Sequence, residues 1–453
     1  MMGERKSGQG SLFYEFSLEG HVPPDHLLRK IDRLIDFSEV RAELAPHYSA
    51  AGRPSICPEL MIRMLVAGYC FGIRSERRLC DEVHLNLAYR WFCRLGLDGE
   101  VPDHSTFSKN RHGRFRESDI FRKLFDHVLR LCLGAGLVGG EAFAVDGSII
   151  QADADRRKGP KGGDGLPRDK TSRAIDEYLA VLDDAAFGAA SEKTPKFLSE
   201  TDPAARYTSA HNGPAIYAYE INYLIDTDHA VIVDVEATTA IRQAEVEAAK
   251  RMLDRTGDRH GLYPERLAAD TGYGSGPMLE WLVEEKGIEP HIPVFDKGER
   301  QDGTFSRSDF AYDPEADHYT CPGGSQLRQF NRNFSTPRSG VTRAGQRLYR
   351  ARKADCDVCP LKDQCCPGQP HRKIARSIHE AARDLAREIA KTDAYVQSRR
   401  ERKKVEMLFA HLKRILGLTK LRLRGPNGAR DEFHLAATVQ NLRKLAKLVP
   451  VPA

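Results

Sequence analysis

The stretch EAFAVDGSIIQAD, residues 141–153, decides the fold, because it reads as a buried β-strand that carries one acidic side chain, Asp146, within it. Two further strands follow in residues 215–238 and turn at the segment from Asp226 to His229. A helix and the short strands ERLAAD and EPHIPV come next, and Asp270 ends the first of these strands. Strands that alternate with helices in this way predict an α/β sheet layered with helices.

The residues before this stretch have helical periodicity. From His26 to Leu137 apolar residues recur at three- and four-residue spacing, as in CPELMIRMLVAGYCFG, and GRPS at 52–55 marks a break. We therefore predict an all-helical N-terminal domain. The basic helices in SERRLCDEVHLNLAYRWFCRLG and PDHSTFSKNRHGRF suit a helix-turn-helix that binds DNA. The same pattern is equally consistent with a plain helical bundle.

The positive charge of the chain is concentrated near its C-terminal end. Residues 372–447 contain 20 Lys and Arg against 8 Asp and Glu, whereas the whole chain has a formal net charge of only +5. Helical periodicity resumes in this region at Ile374 and continues through Lys413. A basic region favours a negatively charged partner such as DNA, although a solvated helical surface has the same composition.

The basic region also contains a third acidic candidate. In RRERKKVEMLFAHLKRILGL, residues 399–418, a helical period of about 100° per residue places Arg402, Glu406 and Lys413 within an arc of about 40°. An apolar stripe lies beside them, formed by Val405, Leu408, Phe409, Leu412 and Leu416. Taken alone, this is an ordinary amphipathic helix with an i,i+4 Arg/Glu pair.

Asp146, Asp270 and Glu406 together suit metal-dependent phosphoryl transfer. That reaction needs a nucleophilic oxygen, in-line geometry and neutralisation of the phosphate charge, which two divalent ions provide. Hard ions such as Mg²⁺ bind oxygen ligands, so carboxylates have to converge from separate elements. Each aspartate also has a simpler interpretation, because Asp146 suits a turn and Asp270 suits a helix cap. Asp153 and Asp155, just beyond the first strand, are alternative carboxylates.

The successive blocks of DDE insertion-sequence transposases are similar to five segments of this chain: AVDGSIIQADA, TDPAARYTS, AYEINYLIDTDH, RLAADTGYGS and RRERKKVEMLFAHLKRILGL. The group called insertion sequence 1182 is the closest match. The segments that run from GRPSICPELM to WFCRLGL and from VPDHSTFSK to RHGRF also resemble the helical region that precedes the catalytic domain in such enzymes. The resemblance implies a ribonuclease-H-like fold, cleavage at the ends of the element and strand transfer into target DNA. It places the catalytic triad on Asp146, Asp270 and Glu406, with Mg²⁺ as the expected ion and Mn²⁺ as a substitute.

The residues around the glutamate resemble a Tyr, Arg, Glu, Lys signature that many related transposases carry. Arg402, Glu406 and Lys413 match its last three positions, whereas Arg399 stands at the position of the tyrosine. A role inferred for that tyrosine therefore does not carry over. The expected DNA-binding residues are Arg399, Arg402, Lys403, Lys404 and Lys413.

Five of the ten cysteines cluster in a region, Phe295 to His371, that lacks regular periodicity. Tetrahedral Zn²⁺ favours thiolates paired from two knuckles. The most economical ligand set is Cys321, Cys356, Cys359 and Cys365, with Cys366 as a spare. Only one CxxC is present, so free cysteines packed in a loop are the alternative. The related transposases resemble the chain here too, because they carry a cysteine-rich insertion between the second Asp and the Glu.

These predictions divide the chain into a helical DNA-binding domain (1–137), a ribonuclease-H-like catalytic domain (138–295 and 372–448) and a cysteine-rich insertion (296–371). The sequence contains neither a signal-peptide core nor eighteen uninterrupted apolar residues, so we expect a cytoplasmic protein without a membrane partner. Two DNA ends have to be brought together, which predicts at least a dimer on DNA. The alternatives are a domesticated DNA-binding protein that has lost the chemistry, a nuclease that cuts without joining, and a zinc regulator.

Overall fold

The computed structural model describes residues 16–49, 51, 55–155, 159–166, 171–209, 213–296, 300, 302–329, 339–343 and 345–450. The break predicted at GRPS lies, apart from its last residue, outside the described residues. The chain forms two compact units, the first made of Met1–Tyr263 with Arg402–Ala453 and the second of Pro264–Glu401. The second unit contains both Asp270 and the clustered cysteines, which the sequence-based boundaries assign to different domains.

The elements of the described residues are as follows. The helices are α1 Leu18–His21, α2 Leu27–Leu34, α3 Ser38–Leu44, α4 Pro58–Cys70, α5 Glu76–Leu85, α6 Leu87–Phe92, α7 His104–His112, α8 Arg114–Glu117, α9 Ile120–Gly134, α10 Arg173–Leu179, α11 Arg242–His260, α12 Gly276–Glu280, α13 Lys353–Asp357, α14 Lys362–Cys365, α15 Glu380–Ile389, α16 Asp393–Arg414 and α17 Gly425–Leu448. The strands are β1 Ala142–Gln151, β2 Arg206–Thr208, β3 Ile216–Asp226, β4 Ile232–Thr239, β5 Arg266–Ala268, β6 Glu289–His291, β7 Ala311–Asp313, β8 His318–Thr320, β9 Gln326–Gln329, β10 Gln346–Arg350 and β11 Lys373–Ser377.

The N-terminal part of the first unit is helical. Helices α1 to α9 occupy the described residues up to Gly134, and no strand occurs among them, which confirms the all-helical prediction. Local capping explains some of the helix starts. Asn86, for example, accepts a hydrogen bond from Ala88 N at 2.9 Å and so satisfies a free N–H group in the first turn of α6.

The sheet of the first unit is built on β3. Strand β1 pairs with β3 antiparallel, with Asp146 opposite Tyr223, and β4 and β2 pair with β3 antiparallel as well. The predicted strand around Asp146 and the predicted hairpin are therefore confirmed. Helix α17 covers β4, where the buried Asn441 side chain bonds both backbone groups of Ile232, at 2.9 Å to N and 2.8 Å to O.

Helix α16 is held against this sheet by its apolar stripe. All five residues predicted for the stripe are buried, and the Phe409 ring stacks on the Tyr223 ring with centroids 4.9 Å apart. Burial of such side chains from water is the main force that fixes a helix on a sheet. Because Tyr223 is the neighbour of Asp146 across the strand pair, this packing places the adjoining face of α16 next to Asp146.

The second unit contains a parallel pair, β5 with β6, and a five-stranded antiparallel sheet in the order β11, β10, β9, β8, β7. The lack of regular periodicity between Phe295 and His371 predicted a loop there, and this is corrected, because strands β7 to β10 lie in that region. Its strands are three to five residues long, too short for alternation to be seen in the sequence. The predicted helix from Ile374 to Lys413 is also corrected, because it begins as strand β11 and is then divided into α15 and α16.

Across the described residues, none of the helices combines the length and the apolar character needed to span a bilayer.

Candidate active site

Asp146 and Glu406 both form ion pairs with the guanidinium group of Arg402. Arg402 Nη1 lies 3.2 Å from Asp146 Oδ2, and Arg402 Nη2 lies 3.2 Å from Glu406 Oε1. Asp146 comes from the middle of β1, whereas the other two residues lie one turn apart on α16. The first unit thus brings together two of the three predicted catalytic carboxylates and one predicted phosphate-binding arginine.

The two carboxylates differ in their exposure to solvent. The side chain of Asp146 is 17% exposed, and its Oδ1 accepts a hydrogen bond from Gly147 N at 2.9 Å. The side chain of Glu406 is 54% exposed, because it lies at the edge of the buried stripe of α16. Asp146 is thus largely enclosed by its surroundings, while Glu406 faces solvent.

Lys413 lies on the same face of α16 and contacts the next outward position of β1. Its Nζ donates a hydrogen bond to Ser148 Oγ at 2.8 Å. Side chains two residues apart on a strand share one face, so Ser148 and Asp146 point the same way. Burial lowers the pKa of the Lys413 amine. Ser148 was not among the predicted site residues, although the period of two along β1 from Asp146 was a signal for it.

Asp270 belongs to the second unit, two residues beyond the end of β5. Its side chain is exposed, and Oδ1 accepts a hydrogen bond from Gly272 N at 2.6 Å. Asp270 therefore caps the 3₁₀ turn Thr271–Tyr273. A capping role was the simpler of the two interpretations of this residue from the sequence.

The other predicted DNA-binding residues have different environments. Arg399 and Lys403 are exposed on α16. The Lys404 ammonium instead donates to the backbone oxygen of Thr227 in the turn between β3 and β4. The alternative carboxylate Asp153 pairs with Lys420, at 2.9 Å, and with Arg424, at 3.1 Å.

The clustered cysteines contribute to the small core beside the five-stranded sheet. Cys356, Cys365 and Cys366 are buried there with Tyr319 and Tyr349. All five are free thiols, and burial raises the pKa of Cys356 and raises that of Cys365 to about 11. Cys321 Sγ accepts a hydrogen bond from Ser325 N at 3.2 Å.

The carboxylates at Arg402 have the donor chemistry that a hard divalent cation requires. Oxygen ligands from two separate elements converge there on one positive charge, which fits Mg²⁺. Among the residues that the structure describes, no group of three or more His, Cys, Asp or Glu side chains is arranged to hold a metal ion, and this includes the cysteines. The structure therefore gives the predicted zinc site no support.

Two parts of the chain match models of known protein families. Residues 16–113 match the model described as Transposase domain (DUF772), and residues 320–446 match the model described as Transposase DDE domain. The second match contains Glu406 with Arg402 and Lys413, whereas Asp146 and Asp270 lie outside both. A DDE domain implies a ribonuclease-H-like fold, a divalent metal cation and action on DNA, and the helical N-terminal region and mixed sheets described above fit that fold. Two segments of this chain are thus similar to domains of transposases, and the second of them is similar to a DDE domain.

Proposed function

We propose that this chain is a transposase of the insertion sequence 1182 group. It cleaves DNA at the ends of its element, and the freed 3′-hydroxyl then attacks target DNA at the same site. The observation that carries this proposal is the convergence of Asp146 and Glu406, from a strand and a helix, on the single cation of Arg402. A DNA-binding protein without catalytic activity does not need two carboxylates from separate elements beside one arginine. A zinc regulator does not need them either.

Asp146, Asp270 and Glu406 are the residues proposed to hold Mg²⁺, with Mn²⁺ as a substitute. The bound ion supplies a Lewis acid that neutralises charge on the scissile phosphate and lowers the pKa of water. Asp270 belongs to the other compact unit, and it is included in this set because of the resemblance to DDE transposases.

The cations of α16 bind the DNA backbone in this proposal. Arg402 has a planar fork that matches two phosphate oxygens, and Lys413 is a point charge that Ser148 positions near Asp146. Arg399 and Lys403, both exposed on the same helix, extend the basic surface along DNA. Lys404 contributes its charge from the hairpin turn where its ammonium is bound.

The remaining proposals concern assembly and the cysteines. The protein acts as a dimer or larger assembly on DNA, because two element ends have to be joined to one target. The domain boundaries at residues 137, 295 and 371 remain predictions. Zinc binding by Cys321, Cys356, Cys359 and Cys365 also remains a prediction, and metal analysis of protein purified without chelators tests it. One zinc per chain would support it, and its absence from fully folded protein would contradict it.

Strand transfer separates a transposase from a nuclease of the same fold. The substrate is a duplex that carries the terminal repeat found in the DNA flanking the gene, incubated with Mg²⁺ and a supercoiled target plasmid. The proposal predicts repeat-dependent joining of the 3′ end to the plasmid, and the Asp146→Asn variant should abolish both cleavage and joining. Cleavage without joining would assign a nuclease instead, and tight binding without either reaction would assign a domesticated DNA-binding protein.

A further inference from the structure

Arg402 occupies the position between the two carboxylates of the first unit. One guanidinium binds Asp146 through Nη1 and Glu406 through Nη2, both at 3.2 Å. A divalent cation held by the same two carboxylates has to lie between their oxygens, where the guanidinium now lies. Two positive groups cannot share that space without strong repulsion.

The pair between Arg402 and Asp146 is stronger than a usual surface ion pair. The two side chains are only 23% and 17% exposed, so the solvent screens their attraction less than it screens an exposed pair. The pair with Glu406 is weaker, because that carboxylate is 54% exposed and lies one turn away on the same helix. Without Arg402, the two carboxylates would repel each other and would attract a different cation.

We infer that Arg402 excludes the divalent ion from these carboxylates until DNA is bound. The inference rests on the proposed function. A DNA phosphate offers the guanidinium a two-pronged partner of equal quality to a carboxylate. When Arg402 turns to the phosphate, its positive charge leaves the space between the two carboxylates, and the metal can enter. Ion binding and DNA binding are therefore coupled, and each strengthens the other by the same factor.

Lys413 does not replace Arg402 in this role. Its ammonium group donates a hydrogen bond to Ser148 Oγ at 2.8 Å, so Lys413 is held at a hydroxyl group and not at the carboxylates. Asp146 Oδ1 accepts from Gly147 N at 2.9 Å, and Oδ2 is the oxygen that Arg402 contacts. Arg402 is accordingly a positioning residue whose guanidinium moves between a carboxylate pair and a phosphate.

Direct metal titration of the full chain tests this inference without any measurement of activity. Mn²⁺ serves as the probe, and electron paramagnetic resonance measures its free concentration with and without terminal-repeat duplex. In the absence of DNA, Arg402→Gln should bind Mn²⁺ about tenfold more tightly than the unchanged protein, within the usual range of coupling between sites. Arg400→Gln, at an exposed position of the same helix that has no assigned role, is the matched control and should not change the affinity.

The second measurement is the effect of DNA on the unchanged protein and on the variants. The duplex should raise Mn²⁺ affinity in the unchanged protein and in Arg400→Gln, and should raise it much less in Arg402→Gln. The inference is overturned if Arg402→Gln binds Mn²⁺ no more tightly than the unchanged protein, or if its gain persists when Asp146→Asn is added. If Arg402→Gln does not fold, the unchanged protein is sufficient for the test. A duplex that leaves its Mn²⁺ affinity unchanged overturns the inference. Coupled binding without any DNA cleavage would leave the inference intact and would remove the proposed function.

Discussion

Lys413 on α16 donates a hydrogen bond to Ser148 on β1 at 2.8 Å, and this contact fixes a cation on the strand face that also carries Asp146. The contact links the helix to the strand at a second point, two residues beyond the pairing of Asp146 with Arg402. A helix held to a strand by two such contacts has little freedom to slide along it. The positions of Asp146, Arg402 and Lys413 relative to one another are therefore set by the fold of the first unit.

Loss of the Lys413 charge should weaken DNA binding in a salt-dependent manner. In Lys413→Met, the slope of log affinity against log salt should fall by about 1, because one phosphate contact is lost. Lys413→Arg should keep the slope, since the charge remains. Fluorescence anisotropy with a labelled duplex at several salt concentrations measures the slope. Lys391→Met, at a side chain 69% exposed and paired with Glu388, is the control, and an equal loss in that variant would contradict the assignment.

Asn441 should be essential to the stability of the first unit. Its buried side chain bonds the backbone N and O of Ile232 and so takes the place of a neighbouring strand. Asn441→Leu leaves both groups without a partner and should lower the free energy of unfolding by about 2 kcal/mol. Asn441→Asp keeps an acceptor for Ile232 N but buries a carboxylate beside Ile232 O, so it should cost at least as much as Asn441→Leu. Urea denaturation followed by circular dichroism measures both, and a loss below about 0.5 kcal/mol in Asn441→Leu would refute the assigned role.

His434 should make the protein less stable as the pH falls. Its Nδ1 lies 2.8 Å from the Arg430 backbone oxygen, its Nε2 is buried, and burial lowers the pKa of the imidazole to about 3. The unfolded chain, with an ordinary histidine pKa of about 6.5, binds a proton between these values that the native state does not bind. Stability from this residue is therefore present above about pH 6.5 and is lost as the pH falls toward 3.

Replacing His434 should remove that dependence. Between pH 7 and pH 5, the unfolding free energy of His434→Gln should fall by about 2 kcal/mol less than that of the unchanged protein. His84→Gln, at an exposed histidine, is the control and should follow the unchanged protein. Denaturation curves at the two pH values give these differences. Parallel behaviour of His434→Gln and the unchanged protein would show that the imidazole is protonated in the native state.

Local periodicity predicted the elements that carry the first-unit carboxylates. The strand around Asp146 was visible as a buried apolar run, and the stripe of α16 was visible because its apolar residues recur with the helical period. The contact of Arg402 with Asp146 was not predictable in the same way, since 256 residues separate them and only the packing of α16 on β3 joins them.

The second unit was predicted less well, for a physical reason. Strands β7 to β11 have three to five residues, and the tyrosines Tyr319 and Tyr349 that form their core are not spaced with any regular period. Cysteines in such a core pack as small apolar side chains. The spacing of cysteines along the sequence does not distinguish core packing from zinc binding. At Ile374, pairing of β11 with β10 overrides a local pattern that favours a helix.

The role of Glu406 as a metal ligand in DNA cleavage is tested by incubating the Glu406→Gln variant with terminal-repeat DNA. The substitution keeps the size of a side chain that is 54% exposed, so the fold should be unchanged, but it removes one proposed metal ligand. Glu401→Gln on the same helix, where Gln397 Nε2 bonds the carboxylate at 2.7 Å, is the matched control. The account predicts Mg²⁺-dependent nicking at the repeat boundary by the unchanged protein and by Glu401→Gln, and a loss of at least about a hundredfold in Glu406→Gln. Nicking by Glu406→Gln at the rate of the unchanged protein would contradict the account.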